Sequence, residues 1–210
     1  MQKRIALILA LGLMVLAVCP AMGEDALLSG EGIFSFGSVN GDVYESDFLG
    51  YGCVLEGWAF ADEEDIAALN QISGDLLSED VQKLIQEADT IIDMSGESED
   101  GFLNMNIQFQ KIDGLGDFSD LDVLVDLSIS QLAPMLEGMG YTDSAIEKTT
   151  VDLDGDSVPG IYIVGEMYGV QIFQKEAVVG CGDLVAFITV TSIMDDRTDE
   201  VFANFYRLAD

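Results

Sequence analysis

The sequence predicts an α+β fold in which a single antiparallel β-sheet is flanked by α-helices, and the C-terminal third gives the clearest evidence. Residues Lys148 to Asp154 alternate between apolar and polar side chains, which is the period-2 pattern of a strand with one buried face. Asp154-Gly155 follows, a pair that favours a tight hairpin turn. Further strands are predicted over residues 161–168, 170–179 and 184–190, so we expect a four-strand meander.

The last strand of this meander and the segment after it are expected to complete the C-terminal unit. Residues 184–190 contain scarcely a polar side chain, and a strand that is apolar on both faces is expected at the centre of a sheet. A helix is predicted to begin near Asp199, because apolar residues then recur every three or four positions. We expect this helix to dock on the sheet through Phe202 and Phe205.

The middle of the chain is predicted to supply strands and helices that flank the meander. Strands are predicted over residues 43–48, 51–55 and 104–111, and a helix is predicted to begin after Asp62, which is a good N-cap. A second helix is predicted over residues 76–94, with an acidic loop over 95–101. Ser119 is expected to cap a third helix, in which Pro134 marks a kink or a break.

The first 23 residues have the composition of a secretory signal peptide. Lys3 and Arg4 precede an apolar run over residues 5–18, which is shorter than the about 20 residues of a spanning helix. We expect cleavage near Gly23, a lead-in or tether over residues 24–41 and one domain over residues 42–210. Lipidation of Cys19 is the alternative, although Val18 departs from the usual lipoprotein box. The chain is therefore predicted to be secreted or extracellular, without a transmembrane helix once it is processed.

Charge and composition narrow the function classes. The sequence has 39 acidic and 8 basic residues and a net charge of −31; loss of residues 1–23 leaves 6 basic residues and a net charge of −33. Such a chain repels phosphate backbones and anionic membrane surfaces, so nucleic acid is not an expected partner. The chain contains no histidine, which removes Ser-His and Cys-His nucleophile pairs and imidazole metal sites.

Two functional hypotheses remain. The first is a secreted or envelope-associated, non-catalytic binding or accessory domain without a cofactor, whose partner is an unknown protein or glycan. The second is a carboxylate-dependent hydrolase of the cell envelope. Glu56 beside Trp58 is the candidate acid for that alternative, because an apolar neighbour can raise the pKa of a carboxyl group.

The strand over residues 104–111 offers the candidate binding surface. Its alternation places Asn104, Asn106, Gln108 and Gln110 on one uncharged face, opposite Met105, Ile107 and Phe109. We expect the amide face to be exposed and suited to polar contact with a protein or glycan. An ordinary solvated sheet face is the alternative, since antiparallel sheets commonly wet one side.

Two further sets of residues are candidates with an alternative explanation each. Asp152, Asp154 and Asp156 resemble the start of a calcium loop, but Ser157 and Ile163 stand where that loop needs glycine and glutamate, so a solvated hairpin is favoured. Cys53 and Cys181 remain after signal cleavage, and secretion permits a disulfide between them. Two free thiols are favoured over the bond, because Cys53 lies in a short apolar strand, Cys181 lies in a turn, and spacing alone does not establish disulfide geometry.

Several phrases of the sequence resemble PsbP-like domains of secreted bacterial proteins. Val43-Tyr-Glu-Ser-Asp-Phe and the later Gly57-Trp58 are similar to the opening of such domains, and Asp93-Met94 with Asn104-Met-Asn-Ile is similar to their middle. Asp154-Gly155, Gln171-x-Phe-Gln and Leu184-x-x-Phe-Ile-Thr resemble their C-terminal meander. The match covers about residues 42–208 and implies an antiparallel sheet flanked by helices. Known proteins of this fold act by binding other proteins, but that role does not carry over to this chain, because none of their binding residues can be placed on a matching position here.

Overall fold

The computed structural model describes residues 34–70, 90–111, 121–182 and 184–209. Within them the first half of the chain forms β1 (Ser38–Asn40), β2 (Val43–Ser46), β3 (Tyr51–Val54), β4 (Trp58–Phe60), α1 (Glu63–Leu69), β5 (Thr90–Ser98) and β6 (Leu103–Lys111). The second half forms α2 (Leu121–Gly138), β7 (Tyr141–Leu153), β8 (Asp156–Met167), β9 (Val170–Cys181), β10 (Leu184–Ile193), α3 (Thr198–Phe202) and β11 (Phe205–Arg207).

The strands form two antiparallel sheets, so the α+β class is confirmed and the prediction of a single sheet is wrong. The smaller sheet has the order β1-β2-β3-β11, and the larger has the order β4-β5-β6-β10-β9-β8-β7. The predicted four-strand meander is present as β7 to β10. As predicted, β10 lies inside its sheet, paired with β6 on one side and β9 on the other.

Each face of the larger sheet has its own apolar core. On the first face, Ile107, Phe109 and Ile188 pack with residues of the smaller sheet such as Tyr44 and Cys53. On the second face, α2 packs across β7, β8 and β9 through four buried side chains: Leu124, Val125, Leu132 and Leu136. The smaller sheet therefore covers the apolar face of β6 and β10. In a single-sheet fold, helices or loops would have to cover that face.

The end of the predicted tether belongs to the folded domain. Phe34 is buried, and its ring centroid lies 5.2 Å from that of Phe109 and 5.1 Å from that of Phe48, both in edge-on arrangements. Residues 38–40 then form β1, which pairs with β2. The lead-in was predicted to be a tether because it is rich in glycine and serine. That composition gives no information on how Phe34 packs against Phe48 and Phe109.

Asp93 ties this N-terminal segment to the larger sheet. It lies at a β-bulge in β5, where the pairing with β6 shifts between Ile92 and Met94. Its carboxylate accepts hydrogen bonds from the Tyr44 hydroxyl and, at 2.8 Å, from the Gly37 backbone N–H. Burial raises the pKa of Asp93 to about 6, although these two hydrogen bonds act in the opposite direction.

The predicted helix over residues 76–94 and the loop after it are wrong where the structure describes them. Residues 90–98 form β5, whose Ile91 pairs with Phe109 of β6; residues 76–89 lie outside the described residues. Ile91, Ile92 and Met94 are all buried, because β5 is covered on both faces and the bulge shifts the alternation. Closely spaced apolar residues of this kind imitate the period of a helix.

The predicted C-terminal helix is shorter than expected. It ends at Phe202, and the Asn204 side chain donates to the Glu200 carbonyl at 2.7 Å as the chain turns. Phe205 and Tyr206 then lie in β11, where Phe205 pairs with Cys53 of β3. Pairing with a distant strand overrides the helical spacing of these apolar residues.

Other local predictions are confirmed. Asp62 caps α1 by accepting a hydrogen bond from the Asp65 N–H at 2.9 Å. The Asp154-Gly155 turn joins β7 to β8. The break that Pro134 could have marked is absent, since α2 continues through it. Ser119, the predicted cap of that helix, lies outside the described residues. No helix in the described ranges is long and apolar enough to cross a membrane; residues 1–23, with the predicted signal peptide and Cys19, lie outside those ranges.

Replacing Phe205 by alanine tests the second sheet. The ring is 4% exposed and its centroid lies 5.9 Å from that of Phe202, so the substitution should lower the free energy of unfolding by about 3–5 kcal/mol. Urea denaturation measures the change. Phe102→Ala is the control, because Phe102 is 42% exposed and should lose far less. An unchanged denaturation midpoint in Phe205→Ala would contradict the placement of β11.

Candidate functional site

An open cleft of about 430 Å³ lies where β4 meets the hairpin between β5 and β6. It contains the sole tryptophan of the chain. Its lining combines an aromatic ring, three carboxylates and a guanidinium: Glu56, Gly57, Trp58, Ser98, Glu99, Asp100, Leu103 and Arg197. We call this the Trp58 cleft. Sequence analysis selected two of these residues, Glu56 and Trp58, and the fold brings the others to them.

Local backbone geometry places Trp58 at the cleft. Gly57 has a φ of 73°, a conformation that favours glycine, and its N–H donates to the Asp42 carboxylate at 3.3 Å. The chain then enters β4, where Trp58 pairs with Ser98 of β5. The indole is half-buried, so part of the ring contacts the protein and part remains open to the cleft.

Asp100 and Arg197 form the charged wall of the cleft. The Asp100 carboxylate accepts from the Ser98 hydroxyl at 2.6 Å, from the Phe102 N–H at 3.0 Å and from Arg197 Nη1 at 3.1 Å. The Ser98 bond first, and the other two contacts after it, lower the pKa of Asp100. Asp100 is therefore held as an anion, and its hydrogen bonds hold the hairpin in place.

Glu56 and Glu99 complete the cleft as exposed carboxylates. Within the described part of the chain, neither side chain makes a hydrogen bond or an ion pair. Arg197 is shared between Asp100 and Glu200, whose carboxylate lies 3.1 Å from Arg197 Nε. The cleft thus has an excess of negative charge beside an aromatic face, which suits a positively charged or hydrogen-donating group.

The predicted amide surface is not exposed. Asn104, Asn106, Gln108 and Gln110 do share one face of β6, but each is 5% exposed or less. The expectation of a wet polar face is therefore wrong, because β6 lies inside the sheet and both of its faces are covered. No protein or glycan can contact these amides while the fold is intact.

One of these amides, Asn106, belongs to a buried polar row that crosses four strands. The strand register aligns Glu176 of β9 with Thr189 of β10, Asn106 of β6 and Ser95 of β5. At the usual strand spacing the row is roughly 14 Å wide. The Thr189 hydroxyl donates to Glu176 Oε2 at 3.1 Å, and Gln108 Nε2 donates to Asn106 Oδ1 at 2.9 Å.

Two buried acceptor atoms have no hydrogen-bond partner among the described residues: Glu176 Oε1 in this row and Gln108 Oε1 next to it on β6. Burial raises the pKa of Glu176 to about 7, although the bond from Thr189 acts in the opposite direction. A carboxyl group in this setting is stabilised in its protonated form, which can donate as well as accept.

The three aspartates of the β7–β8 hairpin accept hydrogen bonds from three different partners and do not converge on one metal ion. Asp152 accepts from the Gly155 N–H, Asp154 accepts from the Arg207 N–H, both at 2.9 Å, and Asp156 accepts from the Tyr51 hydroxyl at 2.7 Å. The hairpin is thereby joined to β3 and β11. Nowhere in the described ranges do three candidate metal-ligating acidic or cysteine side chains gather.

Cys53 and Cys181 are both buried free thiols, so the candidate disulfide is not formed. Cys53 lies in the core between the sheets, and Cys181 ends β9. Burial raises the pKa of each thiol to about 12. Neither group is therefore an activated nucleophile.

Comparisons with known proteins assign no function to this site. No protein-family model and no curated protein matches the sequence. A solved structure from Bacteroides thetaiotaomicron VPI-5482 is similar, with 10% identity and a TM-score of 0.44. The match covers 82% of this chain and 50% of that one, so the chain spans half the length of the protein it matches. A likeness this distant identifies neither a family nor an activity.

Sequence reasoning missed the residues that complete the cleft. Ser98, Glu99 and Asp100 come from a segment predicted as a plain acidic loop, and no motif of the sequence pointed to Arg197. The one available signal was the scarcity of positive charge. The sequence has 8 basic and 39 acidic residues, so an arginine is expected to form ion pairs with nearby carboxylates.

The buried Glu176 should make stability depend on pH. Its pKa is about 7 in the native state against 4.5 ordinarily, so its contribution is fully present below about pH 4.5 and is lost as pH rises toward 7. Glu176→Gln should therefore reduce the loss of stability between pH 5 and pH 8 by on the order of 3 kcal/mol. Urea denaturation at the two pH values measures this difference.

Glu147→Gln is the matched control, because Glu147 is exposed on β7 and its substitution removes the same formal charge. It should leave the difference between the two pH values nearly as in the parent chain. Asp93 has a raised pKa too and remains in both variants. Equal behaviour of Glu176→Gln and Glu147→Gln would show that the Glu176 carboxyl is not desolvated.

Proposed function

We propose that this chain is a non-catalytic binding or accessory domain, secreted or associated with the cell envelope, which takes a positively charged group of its partner in the Trp58 cleft. One observation carries the proposal. The cleft places the half-buried indole of Trp58 beside Glu56 and Glu99, two exposed carboxylates that have no partner in the described ranges.

Electrostatics favours a cation in this cleft. Three carboxylates lie there with a single guanidinium, and that guanidinium already contacts Asp100 and Glu200. The face of an indole ring attracts lysine and arginine groups within about 6 Å. The net charge of −31 raises the local concentration of cations around the whole chain and speeds their association.

Hydrolysis by carboxylates is the alternative and fits the cleft less well. A general acid must hold a proton near neutral pH, but the hydrogen bonds on Asp100 lower its pKa. Glu56 and Glu99 are exposed, so water rather than an apolar environment surrounds their carboxyl groups. The buried carboxyls with raised pKa, Asp93 and Glu176, lie on the two faces of the sheet and away from the cleft lining.

The compartment and the family resemblance belong to this proposal and rest on the sequence. The basic start and apolar run of residues 3–18 support export, and the absence of histidine is compatible with binding without catalysis. The PsbP-like phrases belong to the proposal as a resemblance of fold, because no binding residue of that family can be placed here. The two sheets depart from the single sheet that such a relationship implies.

Fluorescence of the sole tryptophan tests the proposal. Titration with a short peptide of alternating lysine and serine should change the Trp58 emission saturably, and less so at high salt because the contact is electrostatic. Glu56→Gln combined with Glu99→Gln should weaken the apparent affinity about tenfold, since both exposed carboxylates are lost.

Two controls make this titration decisive. Glu147→Gln removes one exposed carboxylate from β7, at the opposite edge of the larger sheet from β4, and should bind as the parent chain does. A matched peptide of glutamate and serine should cause no change. Saturation by a neutral oligosaccharide instead would assign a glycan partner. Turnover of a glycosidase, esterase or peptidase substrate that collapses in Glu56→Gln would establish the hydrolase.

A further inference from the structure

Exposed apolar side chains gather at the end of the larger sheet next to the Trp58 cleft. Phe102 is 42% exposed, Tyr168 is 85%, Val170 is 38% and Met194 is 60%. We call these four residues the apolar rim. They come from the β5–β6 hairpin, the β8–β9 hairpin and the residue that follows β10.

Backbone hydrogen bonds hold the members of the rim side by side. The Ile193 N–H donates to the Phe102 carbonyl at 2.9 Å, and the Met194 N–H donates to the Gln171 carbonyl at 2.9 Å. Val170 precedes Gln171, and Tyr168 lies in the tight turn before it. The rim is therefore one band along the end of the sheet, built on paired strands.

Two residues of the rim have a positive φ, a backbone conformation that favours glycine or asparagine over their own side chains. Tyr168 has a φ of 53° and Met194 has a φ of 77°. The Tyr168-Gly169 turn has positive φ at both positions, the geometry in which Asn-Gly is preferred. A tyrosine there is unfavourable for the backbone and also exposes an aromatic ring. Neither the fold nor the packing accounts for these side chains.

Asp100 joins the rim to the Trp58 cleft. One oxygen of its carboxylate accepts from the Phe102 N–H of the rim at 3.0 Å, and the other accepts from Arg197 of the cleft at 3.1 Å. Apolar contact area and unpaired negative charge therefore lie next to each other on the surface. A partner that covered both surfaces would place apolar groups on the rim and a positively charged group in the cleft.

We propose that the apolar rim and the Trp58 cleft form one docking surface for a protein segment that carries apolar side chains beside a lysine or arginine. The inference rests on the proposed function of the cleft and adds the partner class. Charge complementarity selects this occupant, because a second copy would bring another net charge of −31 to an acidic cleft. Val170 and Met194 add contact area without a hydrogen-bonding N–H or O–H group, which favours apolar side chains of the partner.

Three synthetic peptides of equal length test the inference through Trp58 emission: lysine with leucine, lysine with serine, and glutamate with leucine. The lysine–leucine peptide should bind about tenfold more tightly than the lysine–serine peptide, because it also contacts the rim. The glutamate–leucine peptide should not bind. Tyr168→Asn and Met194→Asn together should abolish the preference for leucine and leave binding of the lysine–serine peptide unchanged.

Folding of the variants is checked independently. Tyr168→Asn should raise the thermal midpoint, because asparagine tolerates the left-handed conformation and favours this turn. Val123→Ser with Leu127→Ser is the matched control, since these residues of α2 are 41% and 47% exposed and should not affect binding. A loss of binding in a more stable protein would assign Tyr168 to recognition.

The outcomes separate the two proposals. Equal affinity for the two lysine peptides would overturn the role of the rim and leave the cleft as the binding site. No emission change with either would overturn both. Concentration-dependent dimers in sedimentation that disappear in Tyr168→Asn would show that a second copy occupies the rim, which would also overturn the inference.

Discussion

The pairing of β6 with β10 in the interior of the seven-stranded sheet is the constraint on which the other elements depend. Along the whole of β6 up to Gln110, and along β10 up to Ser192, every side chain is buried. Strands covered on both faces need a layer on each side. The smaller sheet covers the apolar face, and α2 covers the neighbouring strands on the other. The chain therefore needs two sheets and two cores, and the hairpin ends of the larger sheet, with Phe102 and Tyr168, remain exposed.

The second face of this central pair is buried although much of it is polar. It carries the amides of β6 and Thr189 and Thr191 of β10, beside the apolar Val185 and Phe187. The hydrogen bonds of these polar groups are therefore decisive for stability. A buried polar group costs free energy unless it is paired, and the row from Glu176 to Ser95 is only partly paired within the described residues. Burial raises the pKa of Glu176 to about 7 and that of Asp93 to about 6, one on each face of the sheet. Both carboxyls favour the fold at mildly acidic pH, where fewer of the 39 acidic groups repel one another.

Sequence patterns predicted the elements whose stability is local and failed where distant pairing decides. The Asp154-Gly155 hairpin, the Asp62 cap and the apolar β10 were predicted because turn, cap and core chemistry lie within a few residues. The alternation of residues 104–111 identified the strand and its two faces, but exposure depends on what covers the face. Ile91 and Phe205 were assigned to helices because partners in β6 and β3 cannot be read from spacing.

The cleft was half predicted: Glu56 and Trp58 are close in sequence, whereas Asp100 and Arg197 meet only in the fold.

We propose that one end of the larger sheet, comprising the Trp58 cleft and the apolar rim, is a protein-binding surface rather than a catalytic site. Chemical-shift mapping of isotope-labelled protein on addition of the lysine–leucine peptide distinguishes the two. The perturbed backbone amides should fall within residues 56–58, 98–102, 168–171 and 194–200, with β7 and α2 unaffected. Perturbations confined to β7 and α2, or none at peptide saturation, would contradict it.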